Sequence, residues 1–293
     1  MHPLNRFRDG YDFPRLVAAH PPLAPFVTRS PRGDDTIDFA DPAAVVALNQ
    51  ALLKDAYGLQ WSLPAGALCP PVPGRLDYVH HLADLLGGGD AADAPRGPDI
   101  AILDICAGAS CILPLLGASE YGWRYVASEA DQASHRWARQ VVRLNRPVAG
   151  LIEGRHQPDV RACFAHVTKP GERFAACTCN PPFHASHEDA AAGSARKRRN
   201  LKLGRDAAPL NFGGTSAELV CEGGEVGFIE RMIAESATRP QLCVWFTTMV
   251  SKSANLPALK HALRKTPATI VRTIDVAHGQ KKSRILAWTF VRA

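Results

Sequence analysis

Residues 100–129 leave this chain few choices of fold. Ile100-Ala101-Ile102-Leu103-Asp104-Ile105 is an apolar run broken by one acid, the pattern of a strand buried on both faces. It runs into Cys106-Ala107-Gly108-Ala109-Ser110, a turn of small residues that opens a helix. After the helix, Tyr125-Val126-Ala127-Ser128-Glu129 reads as a second strand that ends in an acid. Strand, small-residue turn, helix, strand and acid together describe an α/β unit built for a nucleoside. Small residues let a ligand approach the backbone, and the amides at the helix start favour a carboxylate or phosphate. A carboxylate at the Glu129 spacing suits the two hydroxyls of a ribose. Asp104 read as a turn cap and Glu129 as a solvated strand end would leave that spacing unexplained.

Only Gly108 represents the three glycines that a dinucleotide pyrophosphate requires. A single nucleoside with an amino-acid tail fits better, and S-adenosylmethionine is the expected cofactor. Its sulfonium needs no phosphate cradle. Its carboxylate needs amides or a cation, and Arg75, just before a helix expected over Asp77–Leu86, is the candidate. Asp104, Gly108, Ser110 and Glu129 complete the expected cofactor set, with Asn180 from a later strand. Gln157 and Asp159 are further candidates for the adenine of the cofactor.

Phe174-Ala175-Ala176-Cys177-Thr178-Cys179 reads as that later strand, and Asn180-Pro181-Pro182-Phe183 ends it. Two prolines cannot continue a strand ladder, so the chain leaves the sheet here at the edge where open α/β sheets bind ligands. A carboxamide, two carbonyls held by proline and a flat ring suit a planar group that carries an NH2. Asn180, Pro181, Pro182 and Phe183 are therefore the candidate catalytic residues; the bland alternative is a proline-stiffened turn. A basic stretch follows, with Arg196-Lys197-Arg198-Arg199 as its densest part, and it suits nucleic-acid phosphates. His184, His187 and Glu188 lack a fourth ligand, and methyl transfer needs no metal, so none is expected.

Residues 1–74 lack a strand rhythm. Arg6 and Arg8 stand among Phe7, Tyr11 and Phe13, a mixture suited to RNA phosphates and unstacked bases, or equally to anchoring aromatics with solvated arginines. Asp41, Pro42 and Gly58 bracket a helix. The expected division is an N-terminal RNA-binding module over 1–74, mainly helical, and a methyltransferase domain over 75–293. Leu242–Val250 reads as a central strand, and two last strands, Thr269–Val276 and Ile285–Val291, are joined too tightly for a parallel crossover. The outline is a Rossmann-like, seven-stranded class I methyltransferase sheet closed by an antiparallel hairpin.

The net charge of +6 favours a polyanionic partner, weakly. Eight scattered cysteines, without CxxC or zinc spacing, read as reduced thiols of a cytoplasmic protein. No run is long and apolar enough to span a bilayer, and the start lacks the apolar core of a secretory signal.

The segments MHPLNRFRDGYDFPRL, DFADPAAVVALNQALL, PPVPGRLDYVHHLADLL, LDICAGASCILPLLGA, CNPPFHAS and GGTSAELVCEGGEVGFIERMI, in this order, closely resemble the bacterial 23S ribosomal RNA adenine-N6 methyltransferases of the RlmF family. More distantly they resemble the eukaryotic enzyme that methylates adenine in a spliceosomal small nuclear RNA. The resemblance implies S-adenosylmethionine as donor, one adenine of large-subunit ribosomal RNA as acceptor, and free RNA or an assembling large-subunit particle as partner of a monomer. It implies Arg75 on the donor carboxylate, the 104–110 turn with Ser110 on its amino-acid end, Glu129 on its ribose, and Asn180 to Phe183 on the target adenine. Cys106 departs from it, standing where a glycine is expected. A protein glutamine-amide methyltransferase, a DNA adenine methyltransferase and a non-catalytic RNA-binding protein are the alternatives.

Overall fold

The computed structural model describes residues 1–89, 93–184, 219–278 and 281–291. Among these the chain forms a two-stranded and a seven-stranded sheet. The amino-terminal part contributes α1 (Phe13–Ala19), the short antiparallel pair β1 (Val27–Arg29) and β2 (Asp35–Ile37), and α2 (Pro42–Tyr57). Asp41 caps α2 through its side chain on the Ala43 amide, and Gly58 ends it in the left-handed conformation, as the sequence signals require. The β1–β2 pair was not expected from the sequence. Three residues per strand are too few to show alternation.

α3 (Val72–Leu86) begins five residues before the expected start, because Pro73 and Gly74 are tolerated in its first turn. It runs through the 74/75 position and is buried along nearly its whole length. The main sheet follows: β3 (Ala101–Ile105), α4 (Ile112–Tyr121), β4 (Arg124–Glu129), α5 (Gln132–Leu144), α6 (Arg146–Ala149), β5 (Ile152–His156), β6 (Phe174–Cys179), α7 (Gly224–Thr238), β7 (Cys243–Val250), α8 (Leu256–Arg264), β8 (Ile270–His278) and β9 (Lys281–Thr289). The strand order is β5-β4-β3-β6-β7-β9-β8. The first five strands are parallel, and β9 runs antiparallel to both β7 and β8. The terminal hairpin is longer than the sequence suggested: pairing runs out to His278 and Lys281. Its polar tip hides the strand pattern.

Alternate residues of β3 feed two cores. Ile102 joins Phe7, Phe13, Leu76, Leu116 and Tyr125 on one face of the sheet. Leu103 and Ile105 join Phe164, Phe228, Ile229, Phe246 and Trp288 on the other. The amino-terminal segment thus packs on the same face as α3, α4 and α5.

Its first residues are tied to α3. The His2 and Asn5 side of the chain donates to Asp77 Oδ1 at 2.9 and 2.6 Å, and Asn5 Nδ2 also reaches the Pro73 carbonyl at 2.8 Å. The His2 ring stacks on His80 at 5.0 Å and meets Asp84 through Nε2 at 3.1 Å. His2, His81 and Asp84 bring ligand-type atoms within 4.8 Å of one another. The Leu4 amide, however, donates to His2 Nδ1 at 3.1 Å, which leaves the proton on Nε2, pointed at Asp84. The group therefore reads as a hydrogen-bonded anchor.

Candidate active site

The carboxyl ends of β3, β4 and β6 open into a cavity of about 640 Å³, a size suited to a nucleoside ligand. This is where the parallel order turns outward in both directions from β3, the place at which open α/β sheets bind ligands. Arg75, Asp104, Gly108, Ser110, Glu129, Asn180 and Pro182 line it together. Pro181 is buried and Phe183 half-buried, and neither lines this cavity.

The turn after β3 is shaped by two non-glycine residues in the left-handed region, Cys106 at φ 59° and Cys111 at φ 46°. The first explains the glycine expected there: the backbone conformation is one that glycine adopts without strain. Cys106 adopts it nonetheless and lines the cavity, half-buried. α4 then starts without a side-chain cap, which leaves its first-turn amides to be satisfied otherwise. Ser110 is buried, and its carbonyl accepts the Trp61 indole N–H at 2.9 Å.

Glu129 is oriented by the backbone. Its Oε2 accepts the Gly108 amide at 2.8 Å and its Oε1 the Asp131 amide at 2.9 Å. A carboxylate has about four acceptor positions, so hydroxyls can share the same oxygens. Asp104 is buried behind the turn and accepts Thr178 Oγ1 at 2.6 Å. Burial, with Glu129 adding to it, pushes this carboxyl up to about 7 against the opposing Thr178 hydrogen bond and Arg75 charge.

Arg75 is buried on α3, and among the described residues its side-chain hydrogen bond goes to the Met249 sulfur, Nη1 to Sδ, at 3.0 Å. Burial pulls the guanidinium down to about 10, with Tyr78 and Asp104 opposing, so it stays charged at neutral pH. A buried cation with no carboxylate in ion-pair reach among the described residues is costly to fold around, unless a ligand supplies the anion. One turn further along α3, Tyr78 sets the end of β6. Its hydroxyl accepts the Cys179 amide at 3.2 Å and lies 2.8 Å from Thr247 Oγ1, which donates to the Cys177 carbonyl at 2.6 Å. The residue before Asn180 is therefore held from two sides. Asn180 Oδ1 is buried and accepts no hydrogen bond among the described residues.

The far wall comes from a segment the sequence reading did not assign. His184 and Val220 form a parallel bridge, with the His184 amide on the Leu219 carbonyl and the Cys221 amide on the His184 carbonyl, both at 2.9 to 3.0 Å. Gly223, at φ 76°, packs so near Gly227 that a Cβ there would lie 3.0 Å from the Gly227 Cα. This turn into α7 delivers Cys221, Glu222, Phe228 and Arg231 to the cavity. Its sequence signal was the glycine spacing of Cys221-Glu222-Gly223-Gly224-Glu225-Val226-Gly227. Val160 and Arg161 line the cavity, while Gln157 does not: its amide is tied to the Ala165 carbonyl at 2.8 Å. Asp159 caps the Arg161 amide at 2.9 Å.

Of the arginines assigned to RNA, Arg6 is bound to Glu120 at 2.7 Å and lies over the Tyr57 ring at 4.6 Å. Arg8 is exposed and near Asp9. Arg196, Lys197, Arg198 and Arg199 lie outside the described residues.

The donor set fits S-adenosylmethionine: a buried cation and uncapped amides for its amino acid, and an oriented carboxylate for its ribose. Residues 1–292 match a family model described as RNA methyltransferase. The chain is 50% identical over 294 residues to a protein of Yersinia pestis named Ribosomal RNA large subunit methyltransferase F, covering 99% of this chain and 88% of that one. A protein of the same name from Yersinia enterocolitica is 49% identical with the same coverage. Among solved structures, the human METTL16 catalytic domain in complex with a MAT2A 3'UTR hairpin superposes with a TM-score of 0.84 at 31% identity, over 99% of this chain and 96% of that one. The amino-terminal domain of human METTL16 in complex with SAH does so with a TM-score of 0.78 at 30% identity, over 100% and 99%.

Proposed function

The chain belongs to the RNA methyltransferase family, and from that premise we propose that it methylates the exocyclic N6 amine of one adenine in large-subunit (23S) ribosomal RNA. The observation that carries the reading is Asn180 Oδ1, a buried acceptor without a donor among the described residues, in a cavity that Arg75, Gly108 and Glu129 also line. S-adenosylmethionine, when bound, supplies the methyl group as an electrophile. The residues of the chain do the rest. Arg75 and the amides opening α4 hold the amino-acid end of the donor, and Glu129 fixes its ribose. Asn180 Oδ1 and the Pro181 carbonyl accept the two N–H groups of the target amine. That amine is a poor nucleophile because its lone pair is delocalised into the ring, and two acceptors favour the pyramidal form. Phe183 stacks on a base swung out of the RNA. Positioning supplies most of the acceleration, and no strong general base is needed, since the nitrogen loses its proton readily once methylated.

Residues 1–74, with Arg6 and Arg8, act as the RNA-binding module, and Arg196 to Arg199 hold phosphates beside the target base. The partner is ribosomal RNA or an assembling large-subunit particle, met by a monomer in the cytoplasm. No helix among the described residues is long and apolar enough to cross a membrane.

Transfer from labelled S-adenosylmethionine to ribosomal RNA purified from cells lacking this protein is expected to place label in N6-methyladenine on nucleoside analysis. Asn180→Ala is expected to keep cofactor binding, because Arg75, the α4 amides and Glu129 still hold the donor, and to lose turnover by roughly two to three orders of magnitude, the scale of one oriented contact. Label on another base, or on protein glutamine, would overturn the reading.

A further inference from the structure

The exposed face of α5 and the start of α6 carry Arg136, Arg139, Arg143 and Arg146. On α5 the spacing of three and four places Arg136, Arg139 and Arg143 on one stripe about 10 Å long, opposite the buried Ala138, Val141 and Val142. None of the four guanidiniums makes a hydrogen bond or an ion pair among the described residues. That sets them apart. Arg6, Arg15, Arg29, Arg155 and Arg284 are each matched to a carboxylate. Arg32, Arg124 and Arg272 share the unpaired condition but are scattered along the chain. Two carboxylates on this side are engaged elsewhere: Glu153 binds Arg155 and Lys169, and Asp131, which also feels the charge of Arg136, accepts the Ser134 amide as the cap of α5.

The stripe also has a direction. α5 is capped by Asp131, which lines the catalytic cavity, and the arginines lead away from it. The Arg139 stem lies over Gly154 of β5, the edge strand, beyond which no strand pairs among the described residues. Guanidinium is the cation best matched to phosphate oxygens, and three in a row, with a fourth three residues on at the start of α6, give a field that adds along a polyanion. We propose that this face of α5 and α6 is a docking track for the phosphate backbone of the RNA substrate, outside the pocket that takes the target base. The proposal rests on the reading of the chain as an RNA methyltransferase.

The test replaces Arg136, Arg139, Arg143 and Arg146 together by Gln, and in a second variant by Lys, in the full chain. RNA affinity is measured as a function of salt, with cofactor affinity and methyl transfer read on the same preparations. Gln removal is expected to weaken RNA binding more than tenfold at low salt and to flatten the log-log salt slope by roughly 0.7 per contact, about 2 to 3 in all. The Lys variant is expected to keep most of the slope, and cofactor affinity is expected to stay unchanged in both. An unaltered salt slope in the Gln variant would overturn the track. So would loss of cofactor affinity, because it would place the arginines in the pocket beside Glu129. Wild-type protein that binds RNA with the full slope yet labels no adenine would overturn the proposed reaction and leave the track standing.

Discussion

Asp104 has the largest pH consequence in the site. Its carboxyl stays protonated up to about 7 in the fold, whereas an unfolded aspartate ionises near 4. Between those values the unfolded chain has lost a proton that the folded chain keeps. Through this window the contribution of Asp104 falls as the pH rises, by up to about 1.4 kcal/mol per pH unit, and the loss levels off above about pH 7. Asp104→Asn is expected to remove this slope, so that its stability relative to wild type grows between pH 5 and pH 7 in urea unfolding; parallel curves would show that the carboxyl titrates normally. At this scale the sequence was informative for the place of Asp104, Gly108, Ser110, Glu129 and Asn180, each at a strand end or in the turn after it, where spacing along the chain fixes position in space, and for Arg75, which lies in the first turn of α3 rather than before the helix. Cys221, Phe228 and Arg231 escaped because they reach the cavity through a turn whose shape depends on the close approach of Gly223 and Gly227. Spacing cannot show that approach.

Among the elements, α7 does two jobs. One end brings Phe228 and Arg231 to the cavity. Near the other end, Glu235 accepts three consecutive amides, of Cys163 at 2.7 Å, Phe164 at 3.1 Å and Ala165 at 2.6 Å, and so holds the stretch that carries Val160 and Arg161. Glu235→Gln keeps the shape but turns a charged acceptor into a group with one oxygen and a donor. It is expected to cost about 2 kcal/mol, the scale of charge-assisted bonds, and to speed amide exchange at 163–165 while β3 and β4 stay protected. Uniform exchange across the molecule would refute that local role. Most strands were foreseen to within two residues because each is a buried run with a clear boundary. α3 was started late because prolines in a first turn look like a loop, and the tip of β8 and β9 was missed because the stretch Gly279-Gln280-Lys281-Lys282-Ser283 has no apolar alternation.

For the whole molecule, the amino-terminal anchor sets a slope of opposite sign. Burial holds His80 down to about 4 and lowers His81 as well, while an unfolded histidine protonates near 6.5. As pH falls from about 6.5 to about 4 the unfolded chain gains protons first, so stability from this group drops on acidification. Asp104 gains stability over much of that range. The wild-type profile between pH 5 and pH 7 is therefore expected to be shallow. Asp104→Asn should reveal a rise with pH, and His80→Gln a fall; two variants sloping the same way would show that one assignment is wrong. The shared core of the amino-terminal segment and the sheet face makes this one cooperative transition rather than a local release.

The bridge between His184 and Val220 joins, side by side, the two chain ends that flank positions 185–218. Such a stitch fixes the spacing between the turn that follows β6 and the turn that enters α7. The seam works as a clasp: the end of β6 that carries Asn180 and the wall that α7 supplies are held as one piece rather than as two loose chain ends.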